Sequence, residues 1–261
     1  MPTRIYHNNT QPAGSALAGP GVQFFSALQL LWSASSPRVD AWTGQLATFN
    51  ASSSISVAHG SEGTALVAAD ATTACLVWSN RPAAAQTKVT FFGVIHTRTA
   101  SGAQIIASTS QITSGGHLLK LDSSGTSLTL SKPGIADYGT ITVAVDTPYA
   151  FFCSHSEVTD TYYLTVRNLR NGAISSVSGT DANVSGAGVG EQILLGRNDG
   201  GTSACTSRLY MAGIAFDYLP QALAYAFLND PWNTAQTILD QRTASAAAFA
   251  PAFRGNFSIF N

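Results

Sequence analysis

Short stretches of alternating apolar and polar residues run along most of this chain. In residues 140–145, Ile141, Val143 and Val145 alternate with Thr and Ala, the two-residue period of a strand with one buried face. Stretches 89–96 and 104–109 are apolar at nearly every position, which predicts strands buried on both faces. In residues 209–216 the apolar phase changes near Gly213, and a glycine at such a point predicts a β-bulge.

Turn signals separate these stretches at short intervals. Asn171-Gly172 follows the stretch 162–169 and predicts a tight hairpin, because both residues accept positive φ angles. Residues 117–130 predict a second hairpin with its turn from Asp122 to Gly125. Many short strands without repeating helices between them predict two packed antiparallel sheets.

One stretch near the end has the period of a helix. Pro220 suits the first helical turn, and Leu219, Leu223 and Phe227 recur at every fourth position. Asn229 can end a helix, and Pro231 cannot continue one. The pattern predicts one short helix, at about 220–229, packed against a β-sandwich.

Composition narrows the class of protein. Of the 261 residues, 45% are apolar and only 10% are charged, against roughly 25% charged in typical soluble domains. The chain therefore packs a core and is not disordered. The net charge of −1 comes from scattered charged residues. The sequence contains no basic stripe, which argues against a nucleic-acid partner. A nearly uncharged surface repels its own copies weakly, which suits self-assembly.

Compartment signals are few. The sequence shows neither a signal-peptide core nor an apolar run long enough to insert into a membrane. Cys75, Cys153 and Cys205 lie far apart without CxxC spacing. They predict unpaired, packed thiols in a protein made in a cytoplasm.

A family resemblance rests on the order of elements in residues 191–232. There "LLG" (194–196) precedes "LYMAGIAF" (209–216), a hydrophobic crossing and the short helix. This order resembles the closing segment of laminin-G/concanavalin-A-like jelly-roll domains. Stretch 89–109 resembles their central strand pair, and stretch 147–172 resembles their paired strands that end in an Asn-Gly turn. The helix followed by Pro-Trp resembles the version in bacteriophage and prophage structural proteins. Other jelly rolls of this length share much of the pattern.

The resemblance implies an all-β, two-sheet antiparallel jelly-roll sandwich with one short C-terminal helix. We predict an N-terminal arm or opening strand at 1–30, the sandwich at 31–241 and an aromatic tail at 242–261. The predicted partner-interface residues are the aromatic side chains of the two ends: Tyr6, Phe24, Phe25, Phe253, Phe257 and Phe260. The same ends could instead fold back on their own sandwich.

Glycoside hydrolases share this fold, so we searched for their chemistry, which needs two nearby carboxylates. None of the three glutamates, Glu62, Glu157 and Glu191, has an acid two residues away. Glu157 and Asp160 form the nearest pair, and their stretch predicts a turn with solvated acids. We therefore predict no enzyme and no catalytic residue.

Other chemistry is sparse as well. Cys153 and His155 would share one face of a continuing strand, but a buried core cysteine explains the pair without catalysis. The remaining histidines, His7, His59, His96 and His117, show no metal-ligand spacing.

Ligand-binding residues can be proposed by type only. Asn198 and Asp199, in a glycine-rich loop, are weak candidates for calcium, since turn geometry also explains them. No other cofactor is predicted. The aromatic residues of a sugar-stacking type are Trp42, Trp78, Tyr138 and Tyr218, of which Trp78 reads as core.

The sequence thus predicts a non-enzymatic bacteriophage virion protein, either a capsid decoration protein or a tail or fibre component. It would be made in the host bacterial cytoplasm and act by contacts with other virion proteins and with its own copies. The alternative is a carbohydrate-binding adhesin or lectin module that attaches to a surface glycan. A glycan-cleaving enzyme is the least supported reading, because the carboxylate pair is missing.

Overall fold

Two antiparallel β-sheets form the body of the protein. A computed structural model describes residues 28–36, 38–50, 55–60, 63–68, 75–78, 86–109, 116–132, 136–181, 193–196 and 205–249. The strands of this part are β1 (Leu28–Ser33), β2 (Thr48–Asn50), β3 (Ile55–Gly60), β4 (Gly63–Ala68), β5 (Cys75–Trp78), β6 (Lys88–His96), β7 (Gln104–Ser108), β8 (Leu118–Leu121), β9 (Ser127–Lys132), β10 (Ala136–Thr142), β11 (Pro148–Ser156), β12 (Thr161–Asn168), β13 (Ile174–Thr180), β14 (Ile193–Leu195) and β15 (Arg208–Ala215). Two helices follow them, α1 (Gln221–Asn229) and α2 (Pro231–Phe249).

The larger sheet has eight strands in the order β13-β12-β11-β6-β15-β4-β3, with β1 also paired to β15. The smaller sheet has seven, in the order β10-β9-β8-β7-β14-β5-β2. The predicted two-sheet antiparallel sandwich is confirmed. One edge of β15 pairs with β6, while its other edge is shared by β4 near the start and β1 near the end.

The main core lies between the sheets. Period-2 alternation delivers Phe151 and Leu164 from the larger sheet, and Leu119 and Leu130 from the smaller, to one continuous buried cluster. Trp78 belongs to it and is 1% exposed, as predicted. The strands expected to be buried on both faces, β6 and β7, are so along nearly their whole length.

A second apolar layer lies on the other face of the larger sheet. Phe92 and Phe152 project from that face and contact the ring of Phe227 on α1. Leu223 on α1 and Ile238 on α2 are buried in the same layer. The predicted helix therefore covers one face of the sandwich, as its narrow apolar stripe indicated.

The single predicted helix is in fact the first of two. α1 ends at Asn229, and a second helix begins at Pro231 and runs into the region predicted as a tail. Asp230 explains the restart, because its Oδ1 accepts a hydrogen bond from the backbone N–H of Asn233, 3.1 Å away. Pro231 suits the first position of the new helix, where no N–H is required.

Two local predictions need correction. The bulge of β15 lies at Tyr210, between the β6 register pairs of Leu209 and Met211, and not at Gly213. Gly213 serves packing instead, since a Cβ atom there would lie 1.9 Å from the ring of Phe92. The hairpin after β12 exists, but only Gly172 has a positive φ, of 76°, and its loop spans residues 169–173.

The other predicted hairpin has its expected turn. Asp122 Oδ1 accepts hydrogen bonds from the backbone N–H groups of Thr126 and Ser127, at 2.7 and 2.9 Å. Gly125 takes a positive φ of 74° in the same turn. The turn fixes the register of β8 and β9, and through it the positions of the residues that end these strands.

Candidate functional site

Five polar residues meet inside the sandwich, where apolar side chains would be expected. We call this group the inter-sheet cluster; its members are His117, Lys132, Tyr138, His155 and Glu157. The first three belong to the smaller sheet: His117 directly precedes β8, Lys132 ends β9 and Tyr138 lies in β10. His155 lies in β11 of the larger sheet, and Glu157 follows that strand by one residue. His117 and His155 are fully buried.

Strand alternation carries these polar side chains inward. Leu128 and Leu130 face the core, so Lys132, two residues further on, faces the same way. Phe151 and Cys153 face the core from β11, and the same period points His155 inward. His117 is held by its backbone, whose N–H donates to Thr109 Oγ1 at 2.9 Å. The cluster thus occupies one end of the inter-sheet space.

Short polar contacts join the two sheets. His117 Nε2 lies 2.8 Å from His155 Nδ1 in a hydrogen bond whose donor depends on the tautomers. Lys132 Nζ donates to Glu157 Oε1 at 2.5 Å, and that oxygen lies 3.7 Å from His117 Nε2. The Tyr138 ring stacks on that of His155, with centroids 4.0 Å apart and planes 12° apart.

Burial sets the protonation of the histidines. Desolvation, followed by the neighbouring His155 and Lys132, holds the pKa of His117 well below its usual value. Desolvation, followed by Lys132, lowers the pKa of His155 to about 4. Both rings are therefore neutral near neutral pH. Burial, followed by the charge of Glu157, raises the pKa of Tyr138 and keeps its phenol protonated.

Some atoms of the cluster have no hydrogen-bond partner within the described ranges. His117 Nδ1, His155 Nε2 and Tyr138 Oη are buried in this condition. Unsatisfied buried polar atoms are uncommon in folded proteins and often mark a missing water or ion. One ring nitrogen of each histidine and a carboxylate oxygen of Glu157 all lie within 4.8 Å of one another. Nitrogen and oxygen donors of this kind suit a transition-metal ion.

The predicted solvated acid is wrong for Glu157. The residue does lie in the turn after β11, but its side chain is only 7% exposed and pairs with the fully buried Lys132. Asp160 remains in that turn, half-buried, with a positive φ of 50°.

The reading of Cys153 as a core cysteine holds. Its thiol is fully buried and lies 3.5 Å from the carbonyl oxygen of Phe91. Burial raises the pKa of this thiol, so the nucleophilic thiolate is disfavoured. His155 lies on the same face of β11 as Cys153, but its ring is hydrogen-bonded to His117.

Sequence spacing missed the meeting of the two histidines. They lie on different sheets and are brought together only by sheet packing, so the prediction of dispersed histidines is wrong for this pair. The sequence proximity of His155, near the end of a strand, and Glu157, directly after that strand, was the one local signal available. His59 is exposed and lies 3.4 Å from Thr64 Oγ1.

The proposed sugar-stacking aromatics are largely inside. Tyr138 is 6% exposed, and Trp42 and Tyr218 are half-buried against the layer beneath the helices. Two rings that the sequence analysis did not single out are more open: Tyr225 on α1 is 42% exposed and Trp232 on α2 is 39% exposed. Among the described side chains of the helical layer, these two aromatic rings are open to a partner.

Several predicted residues lie outside the described ranges. They are Asn198 and Asp199 of the calcium hypothesis, Glu62, Glu191 and His7, and the terminal aromatics Tyr6, Phe24, Phe25, Phe253, Phe257 and Phe260. Their roles stay predictions.

The described helices do not include one with the length and apolar character needed to cross a bilayer. No protein-family model matches the sequence, and no curated protein is detectably similar to it in sequence.

The fold and the site define a two-sheet antiparallel β-sandwich that encloses a polar cluster. Among solved structures, the chain is similar to the full-length tailspike protein 2 of an Escherichia coli O157:H7 bacteriophage, with a TM-score of 0.51 and 18% identity. The match covers 70% of this chain and 27% of that chain, so this chain spans about a quarter of the tailspike's length.

Two binding structures are similar at comparable scores. The binding domain of Paraclostridial Mosquitocidal Protein 1 matches with a TM-score of 0.60 and 10% identity, over 81% of this chain and 54% of that chain. Domain 4 of the arabinanase AbnA from Geobacillus stearothermophilus, in complex with arabinotriose, matches at 0.56 and 14% identity. That match covers 77% of this chain and 98% of the domain. At these identities the likeness establishes a shared fold and no more.

Proposed function

We propose that the chain is a non-enzymatic, laminin-G-like component of a bacteriophage particle, a capsid decoration protein or part of a tail or fibre. It works in the virion through contacts with other virion proteins and with its own copies. The observation that carries the proposal is the state of the carboxylates. Glu157, the carboxylate of the inter-sheet cluster, forms an ion pair with Lys132, with Nζ and Oε1 2.5 Å apart.

Other described acids serve structure. Asp40 is fully buried and accepts hydrogen bonds from the backbone of Leu31 and Trp42, at 3.0 and 2.9 Å. Asp122 closes a hairpin, and Asp217 pairs with Lys88 at 3.3 Å. Hydrolysis of a glycoside needs one free acid and one free base or nucleophile facing each other. Acids engaged in this way favour a binding role.

Assembly is supported by the surface and by the aromatic ends. Few charges keep copies of the chain apart. Aromatic side chains bury roughly 150–250 Å² each, so those of the terminal segments gain free energy by covering an apolar surface. The tailspike likeness supports placement on a phage particle.

The test is the solution mass of the full chain at micromolar concentration, by analytical ultracentrifugation. We expect an oligomer, and we expect the triple substitution Phe253→Ser, Phe257→Ser and Phe260→Ser to shift it toward the monomer. A matched control replaces the internal exposed Val158 by Ser. A monomeric full chain would overturn the assembly proposal. An oligomer unaffected by the triple change would show that the terminal aromatic residues do not form its contacts.

A second candidate function is carbohydrate binding. Tyr225 and Trp232 present open rings, and aromatic faces are suited to sugar contacts. The AbnA domain, similar over nearly its whole length, is seen with arabinotriose. Binding to a glycan panel that is lost in Trp232→Ala, but kept in the exposed aliphatic control Leu46→Ala, would favour this function over assembly alone.

A further inference from the structure

We propose that the inter-sheet cluster is a metal site, in which His117, His155 and Glu157 bind one divalent transition-metal ion of the zinc type. The ion would tie the smaller sheet to the larger one from inside. The inference goes beyond the proposed function and does not depend on it, because it concerns the interior of the sandwich.

The donor set is the first argument. Two imidazole nitrogens and one carboxylate oxygen, with water in the fourth tetrahedral position, are a zinc ligand set known from catalytic sites. Here the three donors are buried between the sheets, which suits an ion that joins them. All three donors lie within 4.8 Å of one another, and they come from both sheets. A neutral imidazole offers a metal ion the lone pair of one ring nitrogen.

The spacing of the donors is the second argument. Ligands held at about 2.0–2.1 Å from a tetrahedral ion lie about 3.3 Å apart. His117 Nε2 lies 2.8 Å from His155 Nδ1 and 3.7 Å from Glu157 Oε1. Movements of about half an ångström on each side would therefore convert the histidine hydrogen bond into a pair of metal ligands. Side-chain rotation alone supplies movements of that size.

Unsatisfied atoms are the third argument. In either tautomeric arrangement of the His117–His155 hydrogen bond, each ring keeps one buried nitrogen without a partner. Burying polar atoms without partners costs free energy unless a water molecule or an ion satisfies them. An ion that takes both facing nitrogens would fix each ring in the tautomer whose outer nitrogen carries the proton, so that each outer nitrogen becomes a donor that an ordered water can satisfy.

The positive charge of Lys132 opposes the binding of a metal ion, so changing this residue provides a further test. Lys132 Nζ contacts Glu157 Oε1, the same oxygen that lies 3.7 Å from His117 Nε2. An ion would therefore either share Oε1 with Lys132 or bind the other oxygen of Glu157 after its carboxylate rotates. A buried ammonium beside a dication nevertheless disfavours binding. Replacing Lys132 by Met, of similar length and without charge, should therefore tighten metal binding, by about tenfold or more. It should also destabilise the metal-free protein, because Glu157 then lacks its partner.

The experiment uses the full chain, freed of metal with a chelator and titrated with Zn²⁺ by calorimetry. We expect one ion per chain, with affinity reduced at least tenfold in His155→Gln and unchanged in His59→Gln, which alters an exposed histidine. No stoichiometric binding to the unaltered chain, or equal binding by His155→Gln, would overturn the proposal.

Substitutions inside the sandwich can impair folding, so a second measurement uses the unaltered chain alone. Co²⁺ at a four-coordinate nitrogen and oxygen site absorbs visible light strongly, whereas octahedral Co²⁺ absorbs weakly. We expect the strong spectrum at one equivalent and its loss on addition of excess Zn²⁺. A weak octahedral spectrum would mean that the ion binds elsewhere, and it would overturn the assignment.

Discussion

Arg167, on β12, binds the end of a helix with its guanidinium. Its Nη1 donates to the carbonyl oxygens of Leu228 and Asn229, at 3.1 and 2.8 Å. These carbonyls end α1 and have no partner within the helix. A cation there also complements the negative end of the helix dipole. One residue of the sheet therefore caps the end of α1.

Arg167→Ala should lower the free energy of unfolding by about 1–2 kcal/mol, because two charge-assisted hydrogen bonds at a partly exposed site are lost. Urea denaturation followed by circular dichroism measures the change. Arg170→Ala, at an exposed position nearby, is the matched control and should have little effect. Equal losses in the two variants would show that Arg167 does not hold the helix.

The thiols of Cys153 and Cys205 should be unreactive in the native protein. Both are fully buried, and burial raises the pKa of Cys205 to about 12 and that of Cys153 further. An aromatic disulfide reagent should label neither before unfolding. After unfolding without reductant it should count three thiols, since all three cysteines are predicted to be unpaired. A count of one would instead reveal a disulfide.

Gly213→Ala should be strongly destabilising, by roughly 3 kcal/mol or more, because the new methyl group overlaps the ring of Phe92. Phe92→Leu removes part of that ring, so the double variant should lose less stability than the sum of the two single changes. Thermal unfolding of the four proteins measures this coupling. Additive losses would show that the Phe92 contact is not the cause.

At the scale of elements, α2 depends on its first residues. Asp230→Ala should cost about 1 kcal/mol, because the Asn233 N–H loses its cap. Asp230→Asn keeps an acceptor oxygen and should cost much less. Helical circular dichroism and urea unfolding compare the two. Equal stability of both variants would mean that the cap contributes nothing measurable.

The same residues show what sequence patterns can and cannot predict. Pro231 correctly predicts that α1 ends at Asn229. The same Asp230-Pro231 pair also begins α2, and the sequence pattern does not distinguish the end of one helix from the start of another. Alternation predicted the strands because burial of one face imposes a two-residue period. It misplaced the bulge of β15, since an extra residue at Tyr210 shifts the phase before Gly213.

The inter-sheet cluster was beyond sequence reasoning for a different reason. His117 is 38 residues from His155 along the chain, and only sheet packing brings them together. A strand register can be estimated from alternation, but the partner across a sandwich depends on how the two sheets stack. Lys132 was equally hidden, because a lysine is normally expected at the surface.

At the scale of the whole molecule, we expect no glycan turnover. Glu157, Asp40, Asp122 and Asp217 are held by structural partners, and the folded chain should release no reducing sugar from a panel of polysaccharides. The control is a known glycosidase under the same conditions. Turnover by this chain that disappears in Asp160→Ala would contradict the prediction and restore the enzyme reading.

The position of β15 has a consequence for how the protein is made. This strand fills the middle of the larger sheet, between β6 on one side and β4 with β1 on the other, yet it is the last strand of the described chain. A ribosome must therefore synthesise the other described strands before β15 can complete the sheet. Pairings so distant in sequence form slowly. Until β15 arrives, β6 presents an open edge to any other nascent copy. Such copies are abundant when a single protein is synthesised in bulk, so the rate of this last insertion sets how much of it reaches the folded state.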